Sequence, residues 1–341
     1  MREVILEVKD LVVTFDMYQG SVQAVRGVSW HLGKKETIGI VGESGCGKSV
    51  TIKTALGLNP KRNGSVKSGQ VLLQGKDILS ATDREIRDIM GNKMSIIFQD
   101  PFTYLNPTMT VGKQIMEAYL RHHRATKAEA RARAIDMLRL ISLPNPEENL
   151  RRYPHQLSGG MRQRIMISMA LICGPMVLFA DEPTTALDVT IQAQIVDLMN
   201  SLKDKIDTSI VLITHDMGVV ANMADRIYVM YAGQIVEHGD ADAIFHHPRH
   251  PYTWGLLDSV PRLDRKTASE LHSIPGMPPD LIAPPPGCAF APRCRFAMNI
   301  CSARTPQKID LDEAGHFAAC WLCHPERVAQ YGAVRRPETN G

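Results

Sequence analysis

The chain has 341 residues, of which 44% are hydrophobic and 22% charged. This composition is typical of a globular protein and disfavours disorder. A formal net charge of +3 supplies no global basic field, so the charge balance does not favour a nucleic-acid-binding protein. Apolar runs such as Met176–Ala180 and Ile210–Ile213 are far shorter than the roughly 18–20 residues that cross a bilayer.

The N-terminus and the cysteines indicate the compartment. The opening residues carry charges throughout and show no signal peptide. Seven cysteines without an export signal do not favour a disulfide framework. We therefore expect a cytosolic protein, or one that a partner holds on the cytosolic side of a membrane.

Strand-like and helix-like segments alternate along the chain. Apolar and polar residues alternate from Val4 to Phe15, and this period of two predicts strands. Apolar runs at 37–41, 71–74, 95–98, 177–180, 209–213 and 226–231 predict strands, several of them buried on both faces of a mainly parallel sheet. Apolar residues mostly three or four apart predict a helix over 127–143. The alternation predicts an α/β core with helices packed on a sheet.

The composition changes after about Phe245, since nine of the 21 prolines lie between residues 248 and 287. Each proline fixes φ and removes a hydrogen-bond donor, which works against helix and sheet. We therefore expect an ordered, extended connector over 248–287. It would join a domain of residues 1–247 to a small cysteine-containing module over 288–341.

A phosphate-binding loop is predicted directly after the apolar run Ile38–Val41. The segment Gly42–Ser49 matches G-x-x-x-x-G-K-[ST], in which glycines let the backbone wrap a phosphate at a helix N-terminus. Lys48 would reach the β- and γ-phosphates, and the Ser49 hydroxyl would bind Mg²⁺. The predicted nucleotide contacts in this segment and the residue after it are Gly42, Ser44, Gly45, Cys46, Gly47, Lys48, Ser49 and Val50.

Two carboxylates end the apolar run at 177–180. At the C-terminal edge of a strand, Asp181 can hold the Mg²⁺ shell while Glu182 points towards the γ-phosphate and polarises water. A kinase has no need of the second carboxylate, so the pair favours ATP hydrolysis.

The segment Leu157–Arg164 resembles the signature motif of ATP-binding-cassette (ABC) ATPases. Further motifs of that family follow in the expected order over about residues 3–245. The resemblance implies an α/β P-loop ATPase core with a mainly parallel sheet, an N-terminal antiparallel β subdomain and a helical signature subdomain at about 100–175. Met161 departs from the family pattern, in which many members carry Gln.

The resemblance also assigns roles to single residues. It implies that Phe15, or less favourably Tyr18, stacks on adenine, and that 186–188 crosses the nucleotide dimer. It implies that Gln99 senses the γ-phosphate, contacts Mg²⁺ and faces the membrane subunits, and that His215 is a switch histidine. Taken singly, these residues have plainer interpretations: a core aromatic, a surface amide and a structural histidine. Their joint occurrence in order favours the functional interpretation.

In that family each ATP site is closed by two subunits. The resemblance implies that Ser158, Gly159 and Gly160 contact the ATP of a partner subunit, with the positive helix end towards phosphate. Glu182 would then be the general base, and His215 would bridge the γ-phosphate and the opposite subunit.

The C-terminal 90 residues are similar to the tail of peptide-importer ATPases of the dipeptide and oligopeptide type. The similar segments are Pro248–Thr253, Leu256–Leu257, Val260–Pro261, Gly287–Cys288 and Pro292–Cys294. This implies two permease subunits, a second and non-identical ATPase subunit, an extracytoplasmic binding protein and a peripheral position on the cytoplasmic face of the inner membrane. Relatives that import nickel complexes, glutathione, opines or oligosaccharides keep other solutes open.

Cysteines in the tail leave three interpretations. The spacing of Cys288, Cys294, Cys301 and Cys320 resembles relatives with a [4Fe–4S] cluster, which needs four thiolates. Zinc also accepts four thiolates, but the paired spacing it prefers occurs only at Cys320 and Cys323. Free packing cysteines are the third interpretation. Of these, we predict the iron–sulfur cluster.

Two other classes of function compete with a transport motor. A soluble cassette ATPase acting on DNA usually carries a long coiled coil between the nucleotide motifs, whereas only about 110 residues separate Lys48 from Ser158 here. Ribosome-acting relatives usually carry two cassettes in one chain. A nucleotide-binding protein without turnover is disfavoured by Glu182. We therefore expect no nucleic-acid partner.

Overall fold

The computed structural model describes residues 2–58, 63–185, 188–259, 274–312, 315–334 and 336. The strands are β1 (Val4–Met17), β2 (Gly20–Gly33), β3 (Thr37–Val41), β4 (Gly64–Leu73), β5 (Lys76–Asp77), β6 (Met94–Ile97), β7 (Val177–Asp181), β8 (Ser209–Thr214), β9 (Arg226–Tyr231), β10 (Gln234–Asp240), β11 (Ile309–Asp310) and β12 (Phe317–Ala318). The helices are α1 (Lys48–Ala55), α2 (Asp83–Ile89), α3 (Pro101–Tyr104), α4 (Val111–His122), α5 (Lys127–Leu140), α6 (Pro146–Asn149), α7 (Gly159–Leu171), α8 (Val189–Lys205), α9 (Met217–Met223), α10 (Ala241–His246), α11 (Pro251–Asp258), α12 (Asn299–Ala303) and α13 (Pro325–Tyr331).

The chain forms two compact units. The first comprises residues up to Leu6, Leu32–Thr37 and Ser80–Ile213, and the second comprises Glu7–His31, Ile38–Leu79 and the chain from Thr214 onwards. No helix in the described part of the chain combines the length and the hydropathy needed to cross a bilayer.

In the first unit, β6, β7 and β8 form a parallel ladder. Ile97 lies opposite Ala180, which in turn lies opposite Leu212. Every residue of β7 and β8 is buried, as expected for parallel strands covered on both faces. Parallel strands end at the same edge of a sheet, so the polar residues that follow β6 and β7 are brought together there.

Along the chain, most helices of the first unit lie after β6 and before β7. Helix α4 packs against α5 and α7, which bury apolar side chains such as Leu138 and Ile165. Helix α5 begins with a capping box in which Thr126 accepts from the Glu129 N–H at 3.2 Å, while Glu129 accepts from the Thr126 N–H. The helix predicted over 127–143 is confirmed as Lys127–Leu140, three residues shorter at its C-terminus.

The second unit contains strands from two sheets. Strand β9 pairs parallel with β3 and antiparallel with β10, which also pairs antiparallel with β12. Strands β2, β1, β4 and β5 lie in that order in a separate four-stranded sheet. Strands β2 and β10 were not predicted from the sequence. The polar Glu237 and His238 interrupt the apolar pattern of β10, although both side chains are buried.

The predicted extended connector is wrong for residues 251–258, which form helix α11. Pro251 occupies the first turn, where proline lacks only an N–H that would have no helical partner. The preceding His250 caps the helix, because its Nδ1 accepts from the Tyr252 N–H at 3.1 Å. Residues 260–273, including Val260 and Pro261, lie outside the described part of the chain.

A buried carboxylate connects β10 to the C-terminal region. Glu237 is fully buried and accepts hydrogen bonds from the N–H groups of Arg249 and His250, at 2.6 and 3.0 Å. Its Oε1 also lies 3.0 Å from Nε2 of His316. Charge-assisted hydrogen bonds of this kind offset the cost of burying the carboxylate.

Candidate active site

The phosphate-binding loop, Gly42–Ser49, connects β3 to α1 in the second unit. Gly45 and Gly47 have φ values of 80° and 104°, which side-chain-bearing residues rarely adopt. A Cβ at Gly47 would lie 2.4 Å from the carbonyl oxygen of Ala24. The glycine is therefore required both by its backbone conformation and by the space around it.

Lys48 brings a cation into the middle of this loop. Its ammonium group donates to the carbonyl oxygens of Gly42 and Glu43, at 2.6 and 2.9 Å, and the side chain is buried. Ser49 and Val50 are half-buried in the first turn of α1, and Ser44 is exposed. A positive charge surrounded by loop backbone at a helix N-terminus is suited to holding phosphate.

Cys46 lies inside the loop as a packing residue. The side chain is buried, and burial raises the pKa of its thiol above the ordinary value although nearby Lys48 opposes the shift. A neutral, buried thiol is a poor nucleophile.

Phe15 and His215 belong to the second unit. Phe15 is half-buried near the end of β1, whereas Tyr18 is fully exposed in the turn that follows. His215 is exposed directly after β8, and the next residue, Asp216, caps α9 by accepting from the Gly218 N–H at 2.8 Å. A strand end and a capped helix thus hold His215 between them.

The carboxylates Asp181 and Glu182 lie at the C-terminal end of β7 in the first unit. Asp181 is buried, and the Glu182 N–H donates to the carbonyl of Ile213 at 2.8 Å. Glu182 has a φ of 48°, the left-handed region that non-glycine residues rarely adopt. Strain of this kind is concentrated at functional sites.

Gln99 meets Glu182 at this edge, as the parallel strands require. The Gln99 amide donates to Oε2 of Glu182 at 3.0 Å, and the Thr185 hydroxyl donates to the same oxygen at 2.9 Å. These two neutral donors hold the carboxylate in position, and a carboxylate oxygen can act as a proton acceptor. The sequence analysis identified the first two residues and missed Thr185, three residues after Glu182.

The signature segment lies at the start of α7. The Ser158 hydroxyl accepts from the Met161 N–H at 3.3 Å and caps the helix, whose first residues are Gly159 and Gly160. A Cβ at Gly160 would lie 2.9 Å from a methyl group of Ile191 in α8. Ser158 is exposed at the positive end of a 13-residue helix.

Two further contacts support this region. Gln163, buried in α7, donates to the carbonyl of Pro183 at 2.6 Å and so links the signature helix to the segment after Glu182. Asp188 caps α8 by accepting from the Ile191 N–H at 2.9 Å. Ala186 and Leu187 lie outside the described part of the chain. Sequence reasoning missed the role of Gln163, although it belongs to the signature motif.

The predicted site residues thus occupy both units. Those of the phosphate loop lie in the second unit with Phe15 and His215. Those around Glu182 and the signature helix lie in the first.

In the described part of the chain, the C-terminal cysteines are not grouped as the predicted ligand set requires. Burial raises the pKa of Cys288, and it raises that of Cys294 to about 11. The charge of the neighbouring Cys301 raises both pKa values as well. Hydrogen bonding with Cys323 raises the pKa of Cys320 and lowers that of Cys323. Among the described residues, no group of three or more His, Cys, Asp or Glu side chains could hold a metal ion. The structure therefore does not support the predicted iron–sulfur ligand set.

Solved structures identify the class of fold. A dimeric ATP-binding cassette bound to ADP and phosphate after hydrolysis is similar with a TM-score of 0.62 and 26% identity, covering 69% of this chain and 98% of that one. The cassette cbiO1 from Clostridium perfringens, part of an ABC transporter complex, is similar with a TM-score of 0.61 and 25% identity, covering 72% and 92%. The fold is that of an ABC ATPase, with an α/β P-loop core.

Sequence comparisons then identify the family. A family profile described as ABC transporter matches residues 25–185, and the profile of the oligopeptide/dipeptide transporter C-terminal region matches residues 236–301. The oligopeptide transport ATP-binding protein OppD of Bacillus subtilis is 53% identical over 94% of this chain and 90% of the relative. The dipeptide transport ATP-binding proteins DppD of Bacillus subtilis and Lactococcus lactis are 56% and 51% identical, over 94% and 95% of this chain and 95% and 92% of the relatives. The chain belongs to the family of ABC transporter ATP-binding proteins.

Proposed function

We propose that this protein is the ATP-hydrolysing subunit of an ABC importer for dipeptides and oligopeptides. The names of its relatives and the match to the peptide-transporter C-terminal region support the substrate class. The observation that carries the enzymatic part is the hydrogen-bonded group of Gln99, Glu182 and Thr185 at the end of β7.

Each residue has a chemical role in this proposal. Lys48 neutralises phosphate charge, and Phe15 stacks on adenine. Glu182 accepts the proton of the attacking water, and Gln99 and His215 respond to the γ-phosphate. Ser49, Gln99 and Asp181 have the oxygen ligands that Mg²⁺ prefers and would hold it. When bound, the ion neutralises the charge that develops on the phosphate oxygens.

A partner ATPase subunit completes each site. Ser158, Gly159 and Gly160 would present the positive end of α7 to the triphosphate bound by the partner. The exposed serine at a capped helix start supports this assignment. ATP then joins two subunits, and hydrolysis releases them.

The assembly in this proposal also contains two permease subunits and an extracytoplasmic binding protein. The ATPase subunits would lie peripherally on the cytoplasmic face of the inner membrane. Because the binding protein and the permeases select the solute, import of a nickel complex, glutathione, an opine or an oligosaccharide is the alternative within the same architecture.

Glu182→Gln in the assembled complex tests the enzymatic part. Loss of the proton acceptor should lower ATP turnover by about 100-fold or more while ATP binding is retained. Glu148→Gln, at an exposed ion pair with Arg152, is the matched control and should turn over ATP normally. Unchanged turnover in Glu182→Gln would refute the role of this carboxylate.

Uptake by the complex in vesicles tests the substrate class. ATP-dependent accumulation of a labelled tripeptide, lost in Glu182→Gln and retained in Glu148→Gln, would support peptide import. Accumulation of a nickel complex or a sugar in place of the peptide would refute it.

The cofactor of the tail cysteines is a separate part of the proposal. The resemblance of the cysteine spacing to that of cluster-carrying relatives supports a [4Fe–4S] cluster. The lack of a metal-holding group in the described part of the chain opposes it, and no step of hydrolysis depends on it.

Iron and acid-labile sulfide in anaerobically purified protein provide the test. A brown protein that loses iron in Cys294→Ser and keeps it in Cys173→Ser would support the cluster. A colourless protein without iron would refute it.

A further inference from the structure

Two residues of the C-terminal region, Tyr252 and Arg293, bind the phosphate-binding loop at Glu43. The Glu43 carboxylate forms two parallel hydrogen bonds with the guanidinium group of Arg293, at 2.6 and 2.9 Å. The Glu43 N–H donates to the Tyr252 hydroxyl at 2.8 Å. The three residues belong to the same compact unit. Tyr252 and Arg293 both lie in the C-terminal segment, more than 200 residues after the loop.

Hydrogen bonds to residues outside the phosphate-binding loop also hold the Arg293 side chain. Its Nε donates to the Pro275 carbonyl at 2.8 Å, and one terminal nitrogen donates to the Ile274 carbonyl at 3.1 Å. The other lies 3.3 Å from the Tyr231 hydroxyl. With the two bonds to Glu43, these contacts use all five N–H donors of a guanidinium group.

Burial and aromatic packing hold the pair further in place. The Arg293 side chain is 4% exposed, whereas that of Glu43 is 28% exposed. The guanidinium carbon lies 5.8 and 6.0 Å from the ring centres of Tyr231 and Phe290. The ring of Tyr252 packs against both, at 4.6 and 5.4 Å. Because Arg293 is the more constrained partner, its position determines that of Glu43.

Glu43 in turn constrains the lysine of the loop. The carbonyl oxygen of Glu43 accepts from the Lys48 ammonium group, so a displacement of Glu43 removes one of two loop carbonyls that orient Lys48. The chain of contacts therefore runs from Arg293 and Tyr252 through Glu43 to the residue that neutralises phosphate charge.

We propose that Arg293 and Tyr252 are positioning residues for nucleotide binding, through which the C-terminal region sets the conformation of the phosphate-binding loop. The inference rests on the proposed ATPase function and adds a regulatory connection to that site. Since coupling between two sites is reciprocal, bound nucleotide should also order the segment around Arg293.

The test measures ATP binding and turnover by the assembled complex. Arg293→Ala and Glu43→Gln should each weaken ATP affinity by about tenfold, because a bidentate charge-assisted contact is lost. Arg293→Lys keeps the charge without the two-pronged geometry and should restore affinity only in part. KM for ATP should rise more than kcat falls, since neither residue touches the reacting atoms.

Arg295→Ala is the matched control. Arg295 lies in the same segment, over the ring of Phe296 at 5.0 Å, and this variant should bind ATP as the wild type does. Glu43→Gln leaves the sequence of the C-terminal region unchanged, so a loss shared by both variants points to the contact between Arg293 and Glu43 rather than to either residue's own region. The variant Glu43→Gln/Arg293→Ala should bind ATP no more weakly than the weaker single variant.

Hydrogen exchange supplies an independent measurement. ATP should slow amide exchange over residues 288–296 in the wild type and not in Arg293→Ala. Wild-type binding of ATP together with equal binding by Arg293→Ala, or losses that add in the double variant, would overturn this inference alone. A wild-type complex that does not bind ATP would overturn the proposed function and this inference with it.

Discussion

A glycine can be required by its backbone conformation or by the lack of room for a side chain, and Gly47 in the phosphate loop and Gly75 between β4 and β5 separate these two constraints. Gly47 and Gly75 both have positive φ values, of 104° and 79°. Only at Gly47 would a Cβ meet another atom at 2.4 Å, whereas none lies within 4 Å at Gly75. The two glycines therefore distinguish strain alone from strain with a steric clash.

We expect Gly47→Ala to weaken ATP affinity at least about tenfold, because relieving the contact with Ala24 moves the loop backbone. Gly75→Ala should cost about 1 kcal/mol of stability and leave ATP affinity unchanged. Equilibrium binding of a fluorescent ATP analogue and chemical denaturation measure both effects. Equal affinities in the two variants would contradict the steric argument.

A hydroxyl-bearing residue at a helix N-terminus can stabilise the helix by capping it and can also contact a ligand. Thr126 at α5 and Ser158 at α7 both cap a helix by accepting from the N–H three residues later. We expect a similar capping energy for both residues, but only Ser158 belongs to the signature motif. Stability alone therefore does not distinguish them.

Ser158→Ala and Thr126→Ala should each lower the free energy of unfolding by about 1 kcal/mol. ATP turnover by the assembled complex should fall at least about tenfold in Ser158→Ala, since the serine would contact the partner's nucleotide. Thr126→Ala should turn over ATP normally. An equal fall in both variants would indicate that capping, rather than nucleotide contact, accounts for the effect.

The whole molecule should be sensitive to mild acid because of histidines buried in the second unit. Burial lowers the pKa of His238 and of His250 to about 4, and the charge of Arg226 also lowers that of His238. Nε2 of His238 lies 3.4 Å from Nη1 of Arg226, and its Nδ1 lies 3.0 Å from the Gly315 carbonyl oxygen. Burial and the charge of Arg226 favour the neutral ring, and they outweigh the opposing effect of the Gly315 carbonyl.

Stability should therefore fall as the pH is lowered from about 6.5 to about 4. In that window the unfolded chain binds protons that the folded chain does not, and each histidine contributes up to ~3 kcal/mol. Urea denaturation across this range measures the slope, which His238→Asn should reduce. His246→Asn, at an exposed position, should not reduce it. A wild-type stability that is flat over this range would contradict the prediction.

The sequence by itself determined the features that depend on local order and spacing. The loop Gly42–Ser49, the buried run of β7 and its two carboxylates are contiguous, so motif and periodicity were sufficient to predict them. The contact between Gln99 and Glu182 was not predicted, and it arises because β6 and β7 are parallel neighbours that end at the same edge of the sheet.

Only the tertiary structure decided which distant residues meet. Prolines around α11 suggested an extended chain, yet burial of Tyr252 and Trp254 stabilises a helix that begins at Pro251. The contact of Arg293 with Glu43 joins positions 250 residues apart, and no local pattern encodes such a pairing. The cysteines show the converse, because their spacing suggested one ligand set while the folded chain brings no metal-holding group together among the described residues. Spacing along the chain limits which residues can meet, but packing of the folded chain fixes which of them do.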